Sequence, residues 1–153
     1  MNIAYYNRTK VDLEVEQALN ATYISSIEEL AENSDVLSLN CPLTDETHHL
    51  VNDRIFNLMP QRSILINISR GAVVDETALA NALHMGTIAG AGIDVFENEP
   101  EVHSKLLTAP NCVLLPHIAS ATYETREQIG MLASKAIVSV LKGEADSNIP
   151  NLI

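Results

Sequence analysis

Arg70 stands at the end of an apolar run, Ile64-Leu-Ile-Asn-Ile-Ser-Arg70, and Gly71 follows it. The run over residues 63–68 reads as a parallel strand covered on both faces. In an open parallel sheet, ligands sit outside the carboxyl ends of the strands. An arginine placed there can hold a carboxylate through two parallel hydrogen bonds. Two more strand ends carry chemistry. Asp94 ends Gly90-Ala-Gly-Ile-Asp94, and Glu97 and Glu99 follow in a loop. His117 comes after Leu115-Pro116 and just before a helix start. Parallel strands bring their carboxyl ends to one edge, so these loops are expected to converge. The cation would bind and polarise an α-keto acid. The imidazole would exchange a proton near neutral pH. A carboxylate on the imidazole would fix its tautomer and raise its pKa. That set suits hydride transfer to a carbonyl.

Alternating elements must position these groups. Strand patterns cover residues 2–6, 21–24, 35–40, 63–69, 88–95 and 111–115. Helical patterns cover residues 11–19, 26–33, 52–59, 75–85 and 122–142. Their boundaries carry local signals. Ser26 precedes Glu29 in an N-cap pattern. Pro60 stops one helix. Asp75 caps another, which Gly86 ends. The long amphipathic helix ends at Gly143. Strands alternating with helices predict an α/β fold, doubly wound, with a mostly parallel sheet and helices on both faces. The tail after Gly143 is polar and expected to be loosely held.

A chain of 153 residues suits one domain. Its formal net charge of −11 argues against nucleic acid or an anionic membrane as partner. No apolar run approaches a bilayer span, and no secretory leader pattern precedes the first strand. Cys41 and Cys112 lack metal-type spacing and read as buried free thiols, which fits a cytoplasmic protein. No metal site is expected. His48 and His49 read as surface or helix-packing residues, and His103 as exposed. His84, in a helix's last turn, suits the helix dipole. Met59, Met85 and Met131 read as core or helix-end fillers. Asp45 and Glu46 begin a turn.

The motifs resemble those of the D-isomer-specific 2-hydroxyacid dehydrogenases, and among them the glyoxylate, hydroxypyruvate and 2-ketogluconate reductases. The matching stretches are Cys41-Pro-Leu-Thr-Asp-Glu-Thr47, Ile64 through Asp75, Ala89 through Pro100, and Pro116-His117-Ile-Ala-Ser-Ala-Thr122. The resemblance implies a Rossmann-like NAD(P)-binding domain and reduction of a short 2-keto acid to the D-2-hydroxy acid. It makes Arg70 the binder of the substrate carboxylate and carbonyl, His117 the acid/base and Glu99 its partner. Glu97 is the less favoured partner. Asp94 would lie near the nicotinamide amide. Cys41, Pro42, Thr44, Ile68, Ser69 and Ala119 would border the cofactor, with Ala119 standing where the family usually has Gly. Phosphonate dehydrogenases share the Arg, Glu, His set. Formate dehydrogenases carry Gln where Glu99 stands.

The family opens its cofactor domain with a strand and a G-x-G-x-x-G turn. No such turn occurs in this chain. The resemblance therefore implies a partial cofactor domain over residues 1–153, without the glycine-rich segment or the N-terminal substrate domain. Its first strand, residues 2–6, corresponds to the family's second. The gap between residues 2–6 and 35–40 is expected to close directly or to drive dimerisation, because open edges invite pairing. After residue 6 comes Asn7-Arg8-Thr9-Lys10, where an NAD enzyme usually carries a carboxylate. Arg8, with Thr9 beside it, suits a 2′-phosphate, which favours NADP over NAD. The missing turn removes backbone donors to the pyrophosphate and implies weakened cofactor affinity. Two readings follow: an oxidoreductase acting on a small 2-keto or 2-hydroxy acid as a homodimer, or a non-catalytic remnant that folds and self-associates.

Overall fold

The computed structural model describes residues 1–143, so the tail whose loose attachment was expected lies outside the described residues. The chain divides into two compact units, Met1–Pro116 and His117–Ile153. The first unit contains β1 (Ile3–Tyr5), α1 (Leu13–Leu19), β2 (Ala21–Tyr23), α2 (Ile27–Glu32), β3 (Val36–Leu39), α3 (Asp53–Leu58), β4 (Ile64–Asn67), α4 (Glu76–Met85), β5 (Gly90–Ile93) and β6 (Cys112–Leu114). Short 3₁₀ turns occupy Gly71–Val73 and Leu106–Thr108. Every expected strand and helix forms, most of them a residue or two shorter at the ends.

The four strands β3-β4-β5-β6 pair in chain order, all parallel. Ile64 is opposite Val36 on one side and Gly90 on the other. Right-handed crossovers stepping in one direction place α3 and α4 on the same face. That face is the core: Leu37, Leu39 and Leu65 pack with Ile55, Phe56, Leu79 and Leu83, all buried. The other row of side chains is open, with Val36 at 55% and Ile64 at 40% exposure. Coverage of residues 63–68 on both faces is therefore corrected to coverage on one. An apolar run records burial in general but not how many layers supply it.

The strands β1 and β2 form a separate two-stranded parallel sheet. Among the described residues no ladder joins it to β3, so direct closure of the gap does not occur. Two strands of this length offer little apolar surface. Accordingly α1 has no buried residue, and Leu13 is 65% exposed. Polar and aromatic contacts hold this part instead. The Tyr5 hydroxyl donates to Glu16 and accepts from the Val11 N–H. The Tyr5 and Tyr23 rings meet edge to face at 5.4 Å.

Helix ends follow their sequence signals. Asp75 accepts from the Thr77 and Ala78 N–H groups, and Gly86 closes α4 at φ +66°. Ser26 accepts from the Glu29 N–H. In the second unit, α5 (Tyr123–Lys142) is capped by Thr122 and ends at Gly143, φ +70°. Its single buried residue is Ser139. Met131 is 54% exposed and Met85 80%, so of the three methionines taken as fillers Met59 is in the core and Met85 only ends a helix.

Candidate active site

Arg70 is placed by a turn that Asn67 builds. Asn67 ends β4 and is 1% exposed. Its side-chain carbonyl accepts from the Ser69 N–H (3.1 Å) and hydroxyl (2.9 Å), and its amide donates to the Arg70 carbonyl (3.0 Å). The chain then leaves the sheet plane in extended form at Arg70 and winds into the 3₁₀ turn. The Arg70 side chain is exposed, and its Nη1 donates to the Ser69 carbonyl at 2.6 Å. A groove of about 580 Å³ opens here, lined by Asn40, Cys41, Pro42, Leu43, Ile68, Ser69 and Arg70. It lies past the carboxyl ends of β3 and β4, as the general rule for such sheets requires. Thus Cys41, Pro42, Ile68, Ser69 and Arg70 come together as expected. Thr44 is just outside, in a turn where the Thr47 hydroxyl donates to the Pro42 carbonyl at 2.7 Å.

The end of β5 meets the Arg70 turn. Asp94 is 2% exposed, does not line the groove, and donates its N–H to the Asn67 carbonyl at 3.0 Å. The Glu99 carboxylate accepts from the Phe96 N–H at 3.0 Å. Gly71 is pressed against this loop: a Cβ there would stand 1.9 Å from the Phe96 carbonyl carbon and 2.4 Å from the Glu97 nitrogen. The Arg70 turn and the Glu99 loop therefore touch backbone to backbone, which only glycine permits.

Below this contact is a cluster the sequence reading did not find. Glu76 is 6% exposed. Its carboxylate accepts from the Glu97 N–H at 2.8 Å, and the Glu97 carboxylate accepts from the Glu76 N–H at 2.9 Å. Burial pushes the Glu76 carboxyl above the usual range, helped by the Glu97 charge, while the hydrogen bond from Glu97 opposes it. His49 Nε2 stands 3.2 Å from the Glu97 carboxylate, within ion-pair distance but not aligned for a hydrogen bond. His49 stacks on His48 and has φ +50°, so it is a loop residue in a left-handed turn. His103 is half-buried, with Nδ1 enclosed and Nε2 3.4 Å from the Thr77 hydroxyl, which corrects its expected exposure.

The remaining candidates are carried by other segments. His117 opens the second unit, exposed, with φ +55°, and Ala119 is exposed beyond it. Arg8 follows β1, and its Nη1 is 3.4 Å from the Glu46 carboxylate, with both side chains about 70% exposed. Thr9 is exposed beside it. Both cysteines are free and half-buried, and burial pushes both thiols up. Among the described residues no His, Cys, Asp or Glu group could hold a metal ion. No described helix is long and apolar enough to cross a membrane. Asn67 and Glu76 were missed, yet each had a signal. Asn67 is a polar residue inside an apolar strand, and Glu76 begins a helix beside a cap residue.

The groove suits a dinucleotide's flat rings, since Pro42, Leu43 and Ile68 give it apolar walls while Asn40, Ser69 and Arg70 supply polar groups. The chain is 47% identical to a glyoxylate reductase of Thermococcus litoralis over 99% of its own length and 45% of that protein's. A crystal structure of a glyoxylate reductase from Paecilomyes thermophila superposes with a TM-score of 0.88 at 41% identity, covering 98% of this chain and 45% of that one. An NADPH-dependent glyoxylate/hydroxypyruvate reductase from Sinorhizobium meliloti, in complex with NADP and malonate, does so at 0.82 and 42%, covering 90% and 42%. The chain thus spans a little under half the length of these relatives. Residues 1–119 match the model of the D-isomer specific 2-hydroxyacid dehydrogenase NAD binding domain, and with its Rossmann-like α/β fold the chain belongs to that family.

Proposed function

We propose that this chain is the cofactor-binding part of an enzyme that reduces a short 2-keto acid, such as glyoxylate or hydroxypyruvate, to the D-2-hydroxy acid with NADP(H). The observation that carries this reading is Arg70 on the wall of the groove past β3 and β4. The cofactor would supply the hydride. The chain's own residues do the rest. Arg70 has five N–H donors in a planar fork, enough to bond Ser69 and still clamp a carboxylate. Its charge would draw electron density from the neighbouring carbonyl and stabilise negative charge on the carbonyl oxygen. His117 is assigned the acid/base role toward that oxygen and Glu99 the role of its carboxylate partner, as the family resemblance implies. Ile68 and Pro42 give the nicotinamide an apolar seat. Arg8 selects the 2′-phosphate, because its pairing with Glu46 is exposed and weak enough to exchange for a dianion.

Arg70→Ala should abolish reduction of glyoxylate by NADPH, and Arg70→Lys should lose on the order of 100-fold in kcat/KM, since a point charge replaces a bidentate fork. Steady-state assays at 340 nm on the 153-residue chain check this. Unchanged kcat/KM in both variants would refute the assignment. A second reading, a folded remnant that self-associates without turnover, is favoured by the uncovered apolar side chains of α5, among them Ile129, Leu132, Ile137 and Leu141. Light scattering showing a dimer, together with no turnover, would favour it.

A further inference from the structure

We propose that Glu76 and Glu97 are positioning residues that set where the Glu99 carboxylate stands, by exchanging main-chain hydrogen bonds between the start of α4 and the loop after β5. The inference rests on the reading of Glu99 as the partner of the acid/base and names what holds it. The exchange is reciprocal. Each glutamate uses its side chain to accept the other's backbone N–H, at 2.8 and 2.9 Å. Such a pair behaves as a capping arrangement across two segments. It satisfies an orphan donor at the helix start and a loop donor together. The next peptide carries the consequence. Phe96, adjacent to Glu97, gives its own N–H to the Glu99 carboxylate at 3.0 Å. The Phe96 carbonyl and Glu97 nitrogen also bear on Gly71, beside Arg70. Fixing the Glu97 N–H therefore fixes the plane of the Phe96–Glu97 peptide. That plane is the seat of the Arg70 turn, and it anchors one side of the Phe96 Cα, so it restrains the neighbouring Val95–Phe96 peptide that carries the Phe96 donor.

A surface carboxylate pair with no such role would be exposed and replaceable. Glu76 is not: it is 6% exposed, next to the like charge of Glu97, where only hydrogen bonding makes a second carboxylate tolerable. His49 Nε2 stands 3.2 Å from the Glu97 carboxylate. Together these residues hold the geometry that Arg70 and Glu99 need, without touching substrate themselves.

The test is amide hydrogen exchange on the isotope-labelled 153-residue chain, joined with the carboxyl ¹³C shift of Glu99. Glu76→Ala and Glu97→Ala should each speed exchange at the Phe96 N–H roughly tenfold and move the Glu99 carboxyl signal, although neither substitution removes the donor or the acceptor of that bond. Glu76→Gln and Glu97→Gln keep an accepting oxygen and should restore both. A general loss of stability would raise exchange across the core, including the Leu65 and Leu79 amides, so these serve as the reference. If Glu76→Ala does not fold, Glu97→Ala decides the matter from the half-buried side of the pair. Phe96 exchange and the Glu99 shift unchanged in a folded alanine variant would overturn the proposal. So would failure of the glutamine variants to restore them. Neither readout requires turnover, so an inactive chain would count against the functional reading and leave this one standing.

Discussion

Two glycines show how different one residue type can be. Gly71 has an ordinary backbone but no room: a Cβ would meet the Phe96 carbonyl carbon at 1.9 Å. Gly86 has room but φ +66°. Gly71→Ala must push two backbones apart and should cost about 3 kcal/mol or more. Gly86→Ala pays only for a left-handed conformation, about 1 kcal/mol. Urea unfolding of both variants measures the difference, and equal losses would contradict the close packing of the Arg70 turn against the Glu99 loop. The place of Arg70 past a strand end was legible in the sequence, because an apolar run that gives way to a cation and a glycine marks where the strand runs out. The use of Gly71 was not, because its partner Phe96 is 25 residues further along, and nothing local reports a backbone contact across that separation.

The elements follow local signals where those signals are local chemistry. Asp75 caps α4 through the Thr77 and Ala78 N–H groups, at 2.9 and 3.0 Å. Asp75→Ala should lower unfolding free energy by about 1 kcal/mol, read by thermal or urea unfolding. The residue after the cap behaves otherwise. The Glu76 carboxyl is raised above 4.5 by burial first, with the Glu97 charge adding to it and the Glu97 N–H and His103 opposing it. A carboxyl raised in the folded state binds its proton more tightly there than in the unfolded chain. Its contribution to stability is full below the unfolded value and is lost as pH rises through the folded one. The groups around it are Glu97, His103 and, beyond Glu97, His49. Glu76→Gln should therefore flatten the stability profile just above pH 4.5 and leave the chain at least as stable at pH 7, as urea titrations across pH would show. Greater loss at pH 7 than at pH 4 would contradict it. The capping Asp75 was readable from its position before an apolar pattern. For Glu76 the sequence marks only a place at a helix start, because its partner Glu97 lies in a loop 21 residues away.

At the scale of the molecule, the alternation of strands and helices made the α/β class legible, while the layering was not. A strand's apolar run looks the same whether one face or both are covered, and here Val36 and Ile64 remain open beside buried Leu37 and Leu65. The separation of β1-β2 from β3-β4-β5-β6 likewise depends on pairing between distant segments. Among the described residues, the open sheet edges and exposed α5 side chains predict concentration-dependent association, which sedimentation velocity would show and which Arg or Lys in place of Leu132 and Leu141 should suppress. On the proposed function, the groove past β3 and β4 takes a nicotinamide dinucleotide and Arg8 favours its phosphorylated form. Calorimetric titration of the 153-residue chain with NADPH and, separately, NADH tests it most directly. The account predicts weak binding of NADPH, with a Kd on the order of 100 µM, weaker binding of NADH, and loss of the difference in Arg8→Ala. No heat with either nucleotide at millimolar concentration, or NADH binding as tightly as NADPH, would contradict it.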